Sequence, residues 1–397
     1  MNHKSVLYII SGRSFSSKGL GRKISEVVKC WNARVERLDL VCGKDISGKS
    51  KDKVEYGNAS FYSRAYVKKK KLAFFVHTMS EILDIFHDFK LYNYLRKKCK
   101  SKSYDLVVER SSRLHFSGLI FAKRRGIPYV LEWKDNLINY KFSIFKAFAL
   151  LNEKVKLKYA DFVIVESLVL KQLLLSESVP EKKIKVALNA VNIKEFQPSQ
   201  YHRDNFRKNN NISPDRVVVC YMGSFAFYHN SPLLIKAVEL LLRDKMDEPP
   251  LVLLIGNGKD FMKCKELANE LDLNSEVVRF MSPVSMEQVP EVLSAVDISV
   301  LPGSTDIICP VKIFEYMAMA TAVILPNYPC NKEAVSVDSG VFFEPNNVES
   351  LAQAIRLLVQ DKELRYRKSE FARLECSERL SWESTWGSAL DECFQKD

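Results

Sequence analysis

Residues 310–320 read PVKIFEYMAMA, with the apolar run ISVL at 298–301 before them and TAVILP at 321–326 after. No other stretch leaves so little choice of architecture. Phe314, Met317 and Ala318 recur at spacings of three and four, one face of a helix, and Lys312 and Glu315 share the adjacent edge. Pro310 stands where the helix should begin, because its fixed φ suits a first turn and its missing N–H is no loss there. The loop 303–306, Gly-Ser-Thr-Asp, separates the first strand from the helix. Strand, loop, helix and strand make one βαβ unit. Its loop and helix N-terminus then lie at the C-terminal edge of a parallel sheet, where anionic ligands bind. Glu315, an acid in an otherwise apolar helix, either pairs within that helix or is kept for a ligand.

At 397 residues the chain exceeds one ordinary core and suits two domains of about 150–200 residues each. The polar segment 199–215, SQYHRDNFRKNNNISPD, is the best linker, which puts the boundary near residue 200. The opening MNHKSVLYII has five apolar residues in its longest run and reads as a first strand, not a signal peptide. No run approaches the roughly 20 apolar residues of a membrane span. Nine cysteines are scattered without a Cys-x-x-Cys pair or clustered histidines. That argues against zinc and against a disulfide framework, and for a reducing cytoplasm.

Charge divides the chain sharply. Residues 1–200 hold 39 Lys and Arg against 19 Asp and Glu, the remainder 21 against 29, for a net +12. A basic first half draws nucleic acid, anionic lipid headgroups or an acidic polymer. The excess concentrates at 61–102, with 11 basic residues against three acids and Phe74, Phe75, Phe86 and Phe89 interleaved. A helix is expected there over 79–100. Rings beside lysines suit an anionic membrane surface, equally an RNA whose bases stack on them, or a core helix with solvated lysines.

Residues 6–10 read as the first strand, followed by the loop 11–23 with Gly19 and Gly21, glycines that let backbone N–H groups approach a phosphate or substrate. The loop lacks the Gly-Lys-Ser/Thr ending of a P-loop, and Ile24 stands at the third glycine of a Gly-x-Gly-x-x-Gly fingerprint. YDLVVERSS at 104–112 and GIPYVLEWKDN at 126–136 read as two further strands, the second leaving Glu132 and Lys134 at its end. His115, between them, reads as a surface histidine. In the second half VVVCYMGSF ends a strand at Gly223, and LVLLIGNGKD ends one at Gly256-Asn257-Gly258.

Together these runs resemble the retaining, nucleotide-sugar-dependent glycosyltransferases of family 4, two-domain enzymes of GT-B fold, over nearly the whole chain. In that family a Glu-x7-Glu pair contacts the sugar donor. Glu315 matches the second position, which holds the ribose hydroxyls; Ile307 stands at the first, with Asp306 one residue out of register. A branch with the form Pro-x-Lys-x-x-Glu-Tyr-Met-Ala matches Pro310, Lys312, Glu315, Tyr316, Met317 and Ala318. Gly256-Asn257-Gly258 matches the family's Gly-x-Gly loop, and Met281 to Val284 fall where its members line the nucleotide base. After Gly223 the family carries an Arg and then a Lys before a glycine; Ser224, His229 and Asn230 occupy those positions here. The branch includes a His-Gly version.

The resemblance implies an α/β chain of GT-B fold with two Rossmann-like domains facing across a cleft. Residues 1–200 would take the acceptor, 201–376 the nucleotide sugar, and 377–397 would form a C-terminal helix crossing back to the first domain. It implies transfer of a sugar, with retention of configuration, from a nucleoside-diphosphate sugar to a glycan or lipid-linked acceptor. The setting would be cell-surface polysaccharide biosynthesis at the inner face of the membrane. No metal is implied, and no cofactor beyond the nucleotide sugar as co-substrate. Glu132 and Lys134 would face the reacting sugar, and His229 and Lys312 the diphosphate. The donor would meet Gly19, Gly21, Gly223, Ser224, Gly256, Asn257, Gly258, Met281, Val284, Asp306, Ile307, Pro310 and Glu315. Two alternatives stand beside this: a catalytically degenerate binding or assembly subunit, favoured by Ile307 and Ser224, and a sugar-nucleotide epimerase of the same shape. Nucleic acid is the least favoured partner.

Overall fold

The computed structural model describes residues 4–10, 20–42, 70–112, 114–134 and 143–395. They form two compact units, Met1–Ala187 with Trp386–Asp397, and Leu188–Thr385. The chain therefore changes unit at Ala187 where residue 200 was expected, and returns at Trp386 where 377 was expected. Burial explains the first difference: Val191 and Phe196, each 2% exposed, belong to the second core. The polar stretch read as a linker is largely a helix, Gln200–Asn209, capped by Ser199. Its Arg207 is buried and donates to the carbonyls of Ala295, Ser213, Pro214 and Arg216 and to Asp297. At the other end, the Trp31 indole N–H donates to the Trp386 carbonyl at 2.9 Å, and Arg34 pairs with Asp391 at 2.8 Å. Those contacts tie the final helix, Ser388–Phe394, to the first unit.

The first unit is built on a parallel sheet of β1 (Ser5–Ile10), β2 (Arg37–Cys42), β3 (Leu106–Arg110), β4 (Tyr129–Glu132), β5 (Phe162–Val165) and β6 (Ile184–Val186), in the order β2-β1-β3-β4-β5-β6. The second contains β7 (Val218–Ser224), β8 (Leu251–Asn257), β9 (Val278–Met281), β10 (Ile298–Val300), β11 (Ala322–Pro326) and β12 (Gly340–Phe343), in the order β12-β11-β10-β7-β8-β9. Runs such as Val6–Ile10 are apolar throughout because a parallel sheet is covered on both faces. Each order reverses once beside its unit's first strand, between β1 and β3 and between β7 and β10. Ligands of open α/β sheets bind outside the carboxyl ends of the strands at such a reversal.

One helix of the first unit has its polarity turned around. It spans Lys70–Lys98, starting before the expected residue 79 because LAFFVHT has no glycine or proline to stop it. Two of its three acids, Glu81 and Asp88, are buried and Asp84 is half-buried, whereas Phe75, Leu83, Phe86 and Phe89 are more than half exposed. Asp88 has a reason to face inward. The helix Ser117–Arg124 has no side-chain cap of its own, and the Asp88 carboxylate accepts the N–H groups of Phe116 and Ser117 at 3.2 Å each. Burial pushes this carboxyl up to about 6. His115, expected at the surface, is buried: Ser112 contacts its Nδ1 at 2.8 Å and Asn152 donates to its carbonyl. Among the described residues no helix is long and apolar enough to cross a membrane.

Candidate functional site

In the second unit β10 pairs with β7 only as far as Ser299 and Cys220, so Met222 is left without a strand neighbour on that side. The Tyr316 hydroxyl fills the gap, accepting from the Met222 N–H and donating to the Met222 carbonyl, both at 2.9 Å. Tyr316 thereby fixes the helix Val311–Ala318 against the end of β7. Pro310 precedes that helix as its N-cap, and no side chain caps its first turn.

Lys312, on the first turn, reaches the same reversal. Its Nζ donates to the Tyr221 hydroxyl at 3.2 Å, lies 4.6 Å from the centre of that ring, and sits 3.3 Å from Nε2 of His229. His229 arrives through the turn Phe227–His229 and Asn230, whose φ of 44° is left-handed. Its Nδ1 lies 3.2 Å from the Gly303 carbonyl. A carbonyl only accepts, so Nδ1 carries the proton and Nε2 is left to accept from Lys312. Gly223 supplies the room: a Cβ there would stand 2.6 Å from the Lys312 Nζ. Burial pushes the amine down to about 7, against the opposing pull of Glu315. Burial, then Lys312, pushes His229 down to about 3, so the imidazole is neutral at pH 7. His229 orients the amine and adds no positive charge.

The other predicted donor residues are distributed around this point. Ser224, Asn257 and Gly258 are exposed at the carboxyl ends of β7 and β8; Gly256 is buried opposite Gly223. Met281 and Val284 are half-buried against the second core. Asp306 is exposed, Ile307 half-buried, and Glu315 only 7% exposed one turn beyond Lys312. Next to His229 a cavity of about 410 Å³ is lined by Tyr228, Asn230, Gly303, Ser304, Tyr328 and Asn346; the sequence had pointed to Asn230 and the 303–306 loop but not to Tyr228, Tyr328 or Asn346.

Glu132 and Lys134 fall in a separate cluster at the carboxyl edge of the first sheet. Glu132 is fully buried; Tyr8 donates to its Oε2 at 2.6 Å and Lys23 to its Oε1 at 3.3 Å. Lys23 also pairs with Glu166 at 2.6 Å, and Lys134 with Glu166 at 3.1 Å. Burial pushes Glu132 up, but Arg110, Lys23 and Lys134 outweigh it and hold the carboxyl below its ordinary range. Lys23 is pushed down by burial to about 8. Gly21 lies in the helix Leu20–Asn32 and not in a loop, and Gly19 lies outside the described residues. The sequence had named neither Lys23, Arg110 nor Glu166; the one available signal was that the strand-end residues Arg110, Glu132 and Glu166 share a sheet edge.

Residues 202–375, within the second unit, match the family model for glycosyl transferases group 1. The chain resembles the UDP-Gal:alpha-D-GlcNAc-diphosphoundecaprenol alpha-1,3-galactosyltransferase of Escherichia coli, with 23% identity over 75% of this chain and 78% of the relative. Other curated relatives are matched over 49% to 63% of their length. Among solved structures, a glycosyltransferase from Rickettsia africae superposes with a TM-score of 0.72 at 18% identity, over 100% of both chains. Anabaena HepE in complex with UDP gives 0.72 at 14% identity, over 98% of both. These likenesses fix the fold as GT-B, built from two Rossmann-like units.

Proposed function

We propose that the protein is a glycosyltransferase that moves a sugar from a nucleoside-diphosphate sugar to a glycan or lipid-linked acceptor. In this reading it acts in the manner of family 4, with retention of configuration and without a metal. The observation that carries the reading is the Lys312 amine. It is largely desolvated, donates to a phenol and a neutral imidazole with Glu315 one turn away as its acidic neighbour, and stands beside Gly223 where the second sheet reverses. A diphosphate there supplies the counter-charge and restores the protonated amine. As the bond from the sugar to the phosphate oxygen breaks, Lys312 and the uncapped first turn of its helix stabilise the departing charge. Glu315 is assigned to the ribose and the Met281–Val284 loop to the base. The relatives support this: one takes UDP-galactose and a diphosphoundecaprenol-linked acceptor, and one solved neighbour holds UDP.

The test is binding and transfer with a panel of nucleotide sugars. Glu315→Gln is expected to weaken nucleotide-sugar binding about tenfold, the scale of a lost charge-assisted hydrogen bond. Affinity equal to wild type in that variant would remove Glu315 from the donor site. The competing reading, a binding subunit, draws on Ile307, Ser224 and the neutral His229. Tight donor binding with no transfer to any lipid-linked or polymeric acceptor would favour it.

The acceptor is placed at the cytoplasmic face of an anionic membrane. The helix Lys70–Lys98 supports that placement, with four phenyl or leucyl side chains outward, Lys90, Arg96, Lys97 and Lys98 exposed beside them, and Glu81 and Asp88 turned inward. The chain is expected to sediment with phosphatidylglycerol-containing vesicles and less with purely zwitterionic ones. Exchanging Phe75 and Phe86 together for Ser should cut that partition by at least about 100-fold, since each buried ring contributes roughly 1.5–3 kcal/mol. Equal sedimentation of this variant and wild type, or preference for RNA over vesicles, would count against the placement.

A further inference from the structure

The first unit holds a charged group that the transfer reading leaves unused. Arg110 ends β3 at the reversal of the strand order, in register with Ile10 of β1 and Glu132 of β4. Strand alternation puts Tyr8, Arg110 and Glu132 on the same face. Arg110 is 7% exposed, yet neither its Nη1 nor its Nη2 has a hydrogen-bond partner among the described residues.

The carboxylates around it are already ion-paired with other cations. Glu132 Oε1 stands 3.5 Å from Nη1, an ion pair too long to be a hydrogen bond, and takes Lys23 instead; its Oε2 is held by Tyr8. Glu166 Oε1 takes Lys23 and Lys134. Three cations, Lys23, Arg110 and Lys134, thus share two carboxylates, Glu132 and Glu166. Burial and then Glu132 hold the Tyr8 phenol in its neutral form, so it adds no negative charge. The cluster has positive charge in excess, and a planar fork whose neighbours, the Tyr8 hydroxyl and Glu132, leave both Nη atoms without a well-formed hydrogen bond. Unpaired donors on a buried guanidinium are costly. They sit at the sheet edge where ligands bind.

We propose that Arg110, with Lys134 on its solvent side, binds an oxyanion, phosphate or carboxylate, carried by the acceptor. That an acceptor carries it rests on the transferase reading above; the anion site itself does not. Nη1 and Nη2 give two parallel N–H···O bonds to two oxygens of one group, the geometry for which guanidinium is suited and ammonium is not. Lys134 keeps a quarter of its side chain in solvent while joined to the cluster through Glu166, and supplies the second charge. The donor diphosphate is assigned to Lys312, so the two anions have separate sites.

Calorimetric titration of the full chain with inorganic pyrophosphate tests this. Because Lys312 is itself assigned to a diphosphate, the comparison is made without it: binding is expected in Lys312→Gln, and at least tenfold weaker when Arg110→Gln is added to it. Arg110→Lys, which keeps the charge and loses the fork, should fall between them. Hydrogen exchange on the unsubstituted chain gives a readout independent of variant folding: pyrophosphate should slow exchange at 106–112 and 129–134. Glucuronate run in parallel separates the sources, the tighter ligand naming phosphate or carboxylate. Absence of binding by either anion, unchanged binding when Arg110→Gln is added to Lys312→Gln, or protection confined to 303–316 overturns the site. Nucleoside-diphosphate binding on the same samples keeps the two readings apart. Its loss in wild type sinks the transferase while the anion site stands, and its retention without pyrophosphate binding sinks the anion site alone.

Discussion

Lys312→Gln is expected to lower turnover about 10²–10³-fold, on the order of 3–4 kcal/mol of leaving-group stabilisation, with no loss of folding stability. Glutamine keeps much of the length and a donor but never carries the charge. The pH dependence separates this from a loss of shape. In the free protein the amine titrates at about 7, because burial disfavours its charged form. Only the protonated amine pairs with a diphosphate, and the bound anion raises its pKa. Binding therefore takes up a proton above pH 7. Wild-type affinity for a nucleoside diphosphate should be level at about pH 6 and fall by up to tenfold per unit between about 7 and 9. His229, pushed down to about 3, stays neutral throughout and contributes no slope. A slope that persists in Lys312→Gln, or turnover within threefold of wild type, would falsify the assignment.

Gly256→Ala is the other large effect, and here the loss is structural. A Cβ at Gly256 would lie 1.9 Å from the Gly223 carbonyl oxygen, at a backbone φ of 143° that L side chains rarely adopt. Neither strand can retreat, because Gly223 and Gly256 are direct partners in the β7–β8 ladder. The expected cost is on the order of 3–5 kcal/mol, read as a lower denaturation midpoint. Gly126→Ala serves as the comparison. Gly126 also has a positive φ, 66°, but nothing lies within 4 Å of its Cβ position, so only a backbone term of about 1 kcal/mol remains. Equal midpoints for the two variants would mean that the strand ends are looser than the contact distance implies.

The second half was largely legible because its signals are local. Apolar runs bounded by Gly223 and Gly256-Asn257-Gly258 read as parallel strands, and Pro310 marked the helix Val311–Ala318 to within one residue. Spacing put Lys312 and Glu315 on one edge of that helix, and the resemblance alone supplied the roles expected of them. What held Lys312 was not legible, since His229 and Tyr221 lie 83 and 91 residues away and meet it only through the sheet. The polar stretch 199–215 misled because a solvated helix and a linker share a composition; the buried Arg207 that anchors it has partners up to 90 residues distant. Along Lys70–Lys98 the lysines and rings were visible, but which face turned outward depended on Asp88 finding the open end of the helix at Ser117. Arg110 was not singled out in the sequence at all; the strand order alone sets it at the reversal.

The bond from Tyr316 to both backbone groups of Met222 carries one more implication. Lys312 and Glu315 occupy the same two turns that this phenol anchors, so the groups assigned to phosphate and to ribose have no separate freedom. Any shift of the segment must carry both together like teeth on one key, and a nucleotide that suits one is presented to the other at a fixed spacing.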